Sequence, residues 1–388
     1  MMRRGIITLL LLLLAGCAAP KPPPDHLVLL PAGFGDMPGW SADHQSEALP
    51  ALVKSCGTRL KFADAEKVGP NGIAGTVADW RQPCAAAAAV PANDDAAARA
   101  FFETWFQPYR CANNAALEGL FTGYYEAELT GSRSRVGAFQ TPLLKRPPDL
   151  VMVELGDFRP NLKGERIAGR VTSGRLKPYD TREQIEAGSL DKLDLPLLWV
   201  DDPIAAFFLE IQGSGRITLP DGTMQRVGYD GQNGWPYVAI GKVMVDRGLI
   251  ERASASMQGI RAWLLAHPDQ AKAIMDANQS YVFFRELKGD GPLGSEGVVL
   301  TPGRSLAVDR GFLPLSAPVW LDVSDDTLGK IRRLLIAQDS GGAIRGPVRG
   351  DVFWGHGPEA ERNAGNQRAR GAEYLLLPKT VTVAPPTR

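Results

Sequence analysis

Apolar and polar positions recur in two distinct patterns along this chain. Between residues 46 and 112 the spacing is helical. Ser46 to Lys54 is amphipathic, and the polar cluster Asn93-Asp94-Asp95 offers a cap to the run Ala96 to Phe106. Ala85 to Ala89 reads as helix surface. From Phe121 the pattern changes to short apolar runs divided by Gly, Pro and Asp turns. Arg216-Ile217-Thr218-Leu219 and Met224 to Tyr229 frame Pro220-Asp221-Gly222 as a hairpin. Helical spacing returns at Trp235 to Arg247, with Asn233 as a cap, and at Ser254 to Ala266. Strand character dominates again from Val298 to Leu375-Leu376-Leu377, with Leu334-Leu335-Ile336-Ala337 and Val352-Phe353-Trp354 as buried strands. The alternation predicts an α+β protein of two domains. A β-rich domain at residues 129–283 is inserted into a first domain made of 45–128 and 284–388.

Composition narrows the function. There are 43 basic and 43 acidic residues, so no charge excess points to nucleic acid. Forty-two glycines and thirty prolines favour strands and loops over a helical bundle. Residues 1–17 form a targeting segment: Arg3 and Arg4, the apolar run Ile6 to Leu14, then Leu14-Ala15-Gly16-Cys17, which resembles a bacterial lipobox. The run is too short for a permanent membrane span. Cys17 is therefore the expected lipidation site, and two or more acyl chains would anchor it stably. Ala18 is not the aspartate that retains many such lipoproteins at the inner membrane, so the expected location is the inner leaflet of the outer membrane, facing the periplasm. Residues 18–44 serve as a tether, stiffened by Pro20-Lys21-Pro22-Pro23-Pro24. Of Cys56, Cys84 and Cys111, two can pair in an oxidising compartment. Cys56 with Cys84 is preferred, although sequence alone leaves the pairing open.

Several chemistries find no support in the residues. The four histidines, His26, His44, His267 and His356, show no zinc-ligand spacing, and no nucleophile elbow, phosphate loop or dinucleotide fingerprint is present. The expectation is of no metal and no cofactor. Asp339-Ser340-Gly341 matches the aspartic-protease tripeptide, but that chemistry needs two such aspartates and the chain has one tripeptide.

The densest chemistry lies in Gln338-Asp339-Ser340-Gly341-Gly342-Ala343-Ile344-Arg345-Gly346, continuing to Arg349, Asp351, Phe353, Gly355 and Gly357. Glycines here let strands or ligand approach closely, and a carboxylate at a strand end is placed for acid or base work. The whole segment resembles the signature of the membrane-bound lytic murein transglycosylase A family. So do Phe121-Thr122-Gly123-Tyr124-Tyr125-Glu126, the run Leu195 to Gly215 ending Gln212-Gly213-Ser214-Gly215, Gly228-Tyr229 through Trp235-Pro236-Tyr237, and Ala307-Val308-Asp309. The resemblance spans roughly residues 45 to 380. It implies a double-psi β-barrel domain and a glycan groove between barrel and insert. It also implies a lyase-type peptidoglycan exotransglycosylase that cleaves between N-acetylmuramic acid and N-acetylglucosamine without water, leaving 1,6-anhydro ends. Peptidoglycan strands are the implied substrate, with cell-wall synthesis or division proteins as candidate partners.

By motif position the resemblance places the single acid/base on Asp351, with Asp339 in support. On an extended strand Asp351 and Phe353 share a face, setting an acid beside an aromatic surface. Apolar neighbours and the like charge of Asp339 would both favour the protonated acid. Asp339 reads almost equally well as a turn aspartate bonded to backbone amides. Asp309 is expected to pair a buried arginine, Arg345 or Arg349. Thr122, Tyr124, Tyr125, Glu126, Gln212 and Ser214 are the expected groove lining, with Thr122 and Gln212 foremost. Tyr124, Tyr125, Trp235, Tyr237, Tyr281 and Trp354 are candidates for stacking on sugar, although burial is the better prior for any one of them. A non-catalytic, expansin-like wall-binding lipoprotein is the alternative from another class.

Overall fold

The computed structural model describes residues 23–159, 162, 165–289 and 291–383. The targeting segment, Cys17 and residues 18–22 lie outside the described residues. The tether expected over 18–44 is corrected from Leu27 onward: Leu27–Pro31 forms a paired strand, and Leu29, Met37 and Trp40 bury their apolar side chains in the core. Strand β1 (Leu27–Pro31) precedes three helices, α1 (Leu49–Arg59), α2 (Val77–Ala87) and α3 (Asp95–Trp105). The polar cluster before α3 works as expected: Asp94 accepts from the Ala97 amide at 2.9 Å. A disulfide joins Cys56 on α1 to Cys84 on α2, and Cys111 is left as a buried thiol. The helical expectation fails at its end, because Phe106–Asn113 is a strand, β2, paired antiparallel with β1. Pro108 explains the change, since proline inside a helix removes a donor and clashes with the preceding turn.

Strand β3 (Gly119–Ser132) carries the chain into its middle third. There follow β4 (Thr141–Leu144), β5 (Leu150–Glu154), β6 (Arg166–Thr172), β7 (Arg175–Lys177), α4 (Arg182–Glu186) and β8 (Pro196–Val200). Next come α5 (Pro203–Gln212), β9 (Ser214–Thr218), β10 (Met224–Gln232), α6 (Ile240–Asp246), α7 (Met257–Ala266), α8 (Pro268–Met275) and β11 (Val282–Leu287). The β9–β10 hairpin is the one expected, with Gly222 at φ 80° in its turn. Helix α6 starts five residues later than its apolar spacing predicted. Pro236 biases Trp235 away from helical backbone. Asn233 caps nothing: its side chain donates to Asp180 and Gln279 carbonyls at 2.9 and 2.8 Å and accepts from the Tyr281 amide at 2.9 Å.

The last third supplies β12 (Ser305–Val308), β13 (Pro318–Asp325), β14 (Gly329–Asp339), β15 (Arg349–His356), α9 (Gly357–Asn366) and β16 (Arg368–Pro378). Six strands close a ring in the order β3, β15, β12, β14, β13, β16 and back to β3. The β3–β15 and β12–β14 pairs are parallel and the others antiparallel. This six-stranded, mixed-direction ring agrees with the double-psi expectation. Closure leaves no ring edge unpaired. Trp320 on β13 points outward, stacking edge-on against Trp40 at 5.3 Å, so its neighbour Leu321 points in.

Both domains share β3. Its first half pairs with β15 and β16, then Ala127–Thr130 pair with β9 and Gly131–Ser132 with β8. One continuous strand therefore runs from the ring into the insert.

Candidate active site

Register decides which side chains meet. On β15, Asp351 lies opposite Thr122 of β3 on one side and Ala307 of β12 on the other. Ala307 is also opposite Asp339 of β14. The two aspartates thus flank one small residue on a common face, two strand spacings apart, or about 10 Å. That face is the outer one. Thr122 is opposite the exposed Arg368, whereas Phe121 and Val352 point into the buried core.

The two carboxyl groups have different partners. Oδ1 of Asp351 accepts from both the Thr122 hydroxyl and the Arg349 guanidinium, and Arg349 also donates to Thr122 Oγ1 at 3.0 Å. Oδ2 of Asp351 has no hydrogen-bond partner among the described residues, and the side chain is 17% exposed. In Asp339 both oxygens are engaged. Oδ1 accepts from the Ser295 and Ser340 amides at 2.8 Å each, and Oδ2 accepts from the Tyr124 hydroxyl at 2.9 Å. Burial pushes the Asp339 carboxyl up, against the lowering effect of those donors. The turn-aspartate reading thus describes its Oδ1, and the Tyr124 bond adds a link to the groove face.

Tyr124 spans the site. Its ring meets Phe353 at 5.2 Å while its hydroxyl reaches Asp339, three strands away in the ring order. The small Ala307 leaves room for this crossing. Burial and then the charge of Asp339 push the Tyr124 hydroxyl well up, so it remains a donor. Gly123, between Thr122 and Tyr124, has no space for a side chain: a Cβ there would lie 2.7 Å from the Trp354 ring.

Other expected groove residues are placed differently. Tyr125 points away from Thr122 and Tyr124, into the insert core with Leu129 and Leu198. Glu126 is fully buried and paired with Arg226 at 3.3 Å, its carboxyl pushed up chiefly by burial. Gln212 spends its carbonyl on the Tyr125 amide at 3.0 Å, and Ser214 is half-buried at the start of β9. Tyr281 is buried, and the indole N–H groups of Trp235 and Trp354 donate to Tyr179 and Gln367.

Asp309 does not pair an arginine. It accepts instead from the Gly311 and Gly346 amides, at 2.9 and 2.8 Å, and so pins the loop between β14 and β15. Arg345 is exposed and has no ion pair among the described residues. Arg349 belongs to Asp351, where a like charge had been expected. The loop residue Ser295 had been missed, because only the folded ring brings its amide to Asp339. Tyr237 had been considered only as a stacking aromatic. Its hydroxyl is pushed up by burial and, after that, by the charge of Asp351, which places this insert residue near the acid.

The ring and the insert share strand β3, and the ring's outer face carries a carboxyl, Asp351, with one oxygen free of partners among the described residues. The pattern of the MltA specific insert domain matches residues 120–285, and that of the 3D domain matches 304–377. The membrane-bound lytic murein transglycosylase A of Vibrio cholerae is 36% identical over 218 residues, covering 54% of this chain and 59% of that protein. The match therefore spans less than two thirds of that relative. The crystal structure of a membrane-bound lytic murein transglycosylase from Agrobacterium tumefaciens is 33% identical, with a TM-score of 0.79, covering 91% of this chain and 98% of that one. Escherichia coli MltA with bound chitohexaose is 25% identical, with a TM-score of 0.62 and coverage of 90% and 91%. The chain belongs to the membrane-bound lytic murein transglycosylase A family.

Proposed function

We propose that this protein is a peptidoglycan lytic transglycosylase in which Asp351 acts first as acid and then as base. One observation carries the reading: on the groove face Asp351 has a free oxygen, whereas both oxygens of Asp339 are taken. A hydrolytic glycosidase needs two working carboxylates, one of them to activate water or attack the sugar. With a single free carboxyl, the chemistry that remains is intramolecular. Asp351 protonates the oxygen of the bond leaving C1 of N-acetylmuramic acid. The resulting carboxylate takes the proton of the C6 hydroxyl of the same sugar as that hydroxyl attacks C1. One C–O bond breaks, one forms, no water enters, and a 1,6-anhydro ring results. The high effective molarity of an internal hydroxyl replaces an activated water.

The partners of Oδ1 suit the second half of this cycle, in which Asp351 is a carboxylate. Two donors already occupy that oxygen, so the transferable proton belongs on Oδ2, facing the groove. Once it has left, Arg349 and Thr122 stabilise the carboxylate without rearranging, which is the preorganisation that lowers a barrier. The hydroxyls of Tyr124 and Tyr237 both feel the charge of Asp351, and the Tyr124 ring packs on Phe353 beside it. The names of the relatives and the chitohexaose bound to Escherichia coli MltA support a glycan in the groove.

We assign 45–128 and 284–388 to the barrel domain and 129–283 to the insert, with exolytic action on glycan strands. We place the protein at the inner leaflet of the outer membrane through a lipidated Cys17. Mass spectrometry of muropeptides released from purified sacculi tests the reaction. Products ending in 1,6-anhydromuramic acid are expected. Reducing ends would replace this reading with hydrolysis, and binding without products would replace it with a wall-binding role.

A further inference from the structure

Beside the acid the ring carries two arginines that the proposed reaction does not use. Thr122 of β3 has a register partner on each side, Asp351 of β15 and Arg368 of β16. Two residues back along β3, Leu120 lies between Arg349 and Arg370 in the same way. Residues directly opposite across a ladder share a face, with Cβ atoms about 5 Å apart. Arg368 and Arg370 therefore stand on the face that carries Asp351, next to the strand whose Thr122 hydroxyl bonds it. Ala369, between them, is buried in the core, as alternation along a strand requires.

No group of the protein uses their charge. Both side chains are exposed, and neither makes an ion pair among the described residues. The carboxylates nearest by register are occupied elsewhere or stand apart. Asp325 is buried, with Oδ1 on the Thr327 and Leu328 amides and Oδ2 on the backbone amide of Arg368. Asp322 of β13 pairs with Arg332 at 2.7 Å. Glu118, just before β3, and Asp326, just after β13, are exposed, and neither comes within ion-pair distance of an arginine. Arg349 differs from its two neighbours, being committed to Asp351 and Thr122.

A guanidinium receives a carboxylate on two parallel N–H donors, and an exposed arginine keeps that fork free. Peptidoglycan supplies the acceptor. The lactyl group of each N-acetylmuramic residue carries a stem peptide with free carboxylates or, once the peptide is removed, ends in a carboxylate of its own. A chain of N-acetylglucosamine alone has neither. A cationic flank beside the acid therefore tells the two polymers apart.

We infer that Arg368 and Arg370 form a carboxylate subsite that recognises the acidic groups on muramic residues of the bound strand. The inference rests on the proposed peptidoglycan substrate and names the feature of it that this chain selects.

The test measures anhydro-product release by the parent and by Arg368→Gln with Arg370→Gln. The substrates are peptide-bearing sacculi and glycan strands stripped of peptide, each untreated and with its carboxylates converted to methylamides. On an untreated substrate the double variant should raise KM on the order of fivefold, with kcat held, the mark of binding felt equally in ground and transition states. Methylamide formation should cost the parent the same factor and the double variant nothing further. High salt should narrow the gap by screening, and Arg368→Lys with Arg370→Lys should recover part of the loss. Equal melting temperatures would verify that the variants fold. A loss confined to peptide-bearing sacculi assigns the subsite to stem-peptide carboxylates, and a loss on stripped strands assigns it to the lactyl carboxylate. Equal KM for parent and double variant on both untreated substrates would overturn the inference, as would a loss that persists in full on the methylamides. Co-sedimentation with the same sacculi reads binding without turnover, so the subsite is tested even where products end in reducing sugars and the proposed reaction fails.

Discussion

Replacing Asp351 with asparagine separates chemistry from architecture. The amide keeps an oxygen that can accept from Thr122 and Arg349, so what the fold loses is charge assistance on bonds at a partly exposed position. A charged hydrogen bond contributes roughly 1 kcal/mol more than a neutral one, and solvent screening trims that further. For a chain of this size a loss near 1 kcal/mol lowers the melting temperature by about 2–4 °C. The chemical loss is much larger. Positioned acid–base catalysis contributes about 10²–10⁴-fold, or roughly 3–5 kcal/mol. The variant should therefore release anhydromuropeptides at least about a hundredfold more slowly, while binding glycan and melting almost as the parent does. Initial rates of anhydro-product release, glycan co-sedimentation and a thermal melt on one preparation make the comparison. A rate within tenfold of the parent would refute the role of Asp351, and a collapsed melt would show that its partners matter mainly to folding.

Three other outcomes follow from the same structure. Tyr124→Phe leaves Asp339 Oδ2 without its donor and should cost roughly 1–3 kcal/mol of stability, read as a lower urea midpoint, together with reduced kcat. Glu373 faces Leu321 across the β13–β16 ladder inside the ring, neither of its oxygens has a partner, and burial holds its carboxyl well above the ordinary value. A raised folded pKa gives a contribution that is full below the unfolded pKa near 4.3 and is lost at about 1.4 kcal/mol per pH unit as pH climbs toward the folded value. Glu373→Gln should therefore gain on the parent as pH rises from 4 upward, and parallel pH–stability curves would contradict this. Removing the Cys56–Cys84 bond, which closes a separation of 28 residues, should cost roughly 3–4 kcal/mol. An unchanged denaturation midpoint in the double serine variant would exclude that contribution.

Local signals in the sequence carried the elements whose causes are themselves local. The cap at Asp94, the hairpin turn at Gly222 and the buried strands around Leu335 and Val352 all depend on residues within a few positions of one another. The signature segment placed Asp351 correctly beside Phe353, because alternation along a strand is a local rule. Reading failed where a side chain's partner comes from a distant segment. Asp309 closes a loop through the Gly346 amide, Asn233 ties three segments, and Glu126 finds Arg226 a hundred residues away. No periodicity encodes such pairings. The β2 error has another cause: its helical neighbours set the expectation, and the one contrary residue, Pro108, was outweighed. Arg349 was assigned to the wrong aspartate for a related reason. It was one of two arginines expected at Asp309, and the β3–β15 register instead brings Asp351 and Thr122 together around its guanidinium.

Asp339 and Asp351 are chemically the same residue, set opposite the same alanine on one face of one barrel. What distinguishes them is how many of their oxygens are already satisfied. Backbone amides and a tyrosine saturate Asp339, which makes it a fixed part of the wall. The donors to Asp351 crowd onto one oxygen and leave the other for substrate. The donors also come from different strands: Thr122 from β3 and Arg349 from β15. Because β3 continues without a break into the insert, the strand that holds Thr122 beside Asp351 is the same strand that pairs with β9. Gly123 is where that strand lies closest to the ring's Trp354, since its missing side chain leaves room for the indole just before β3 leaves the ring.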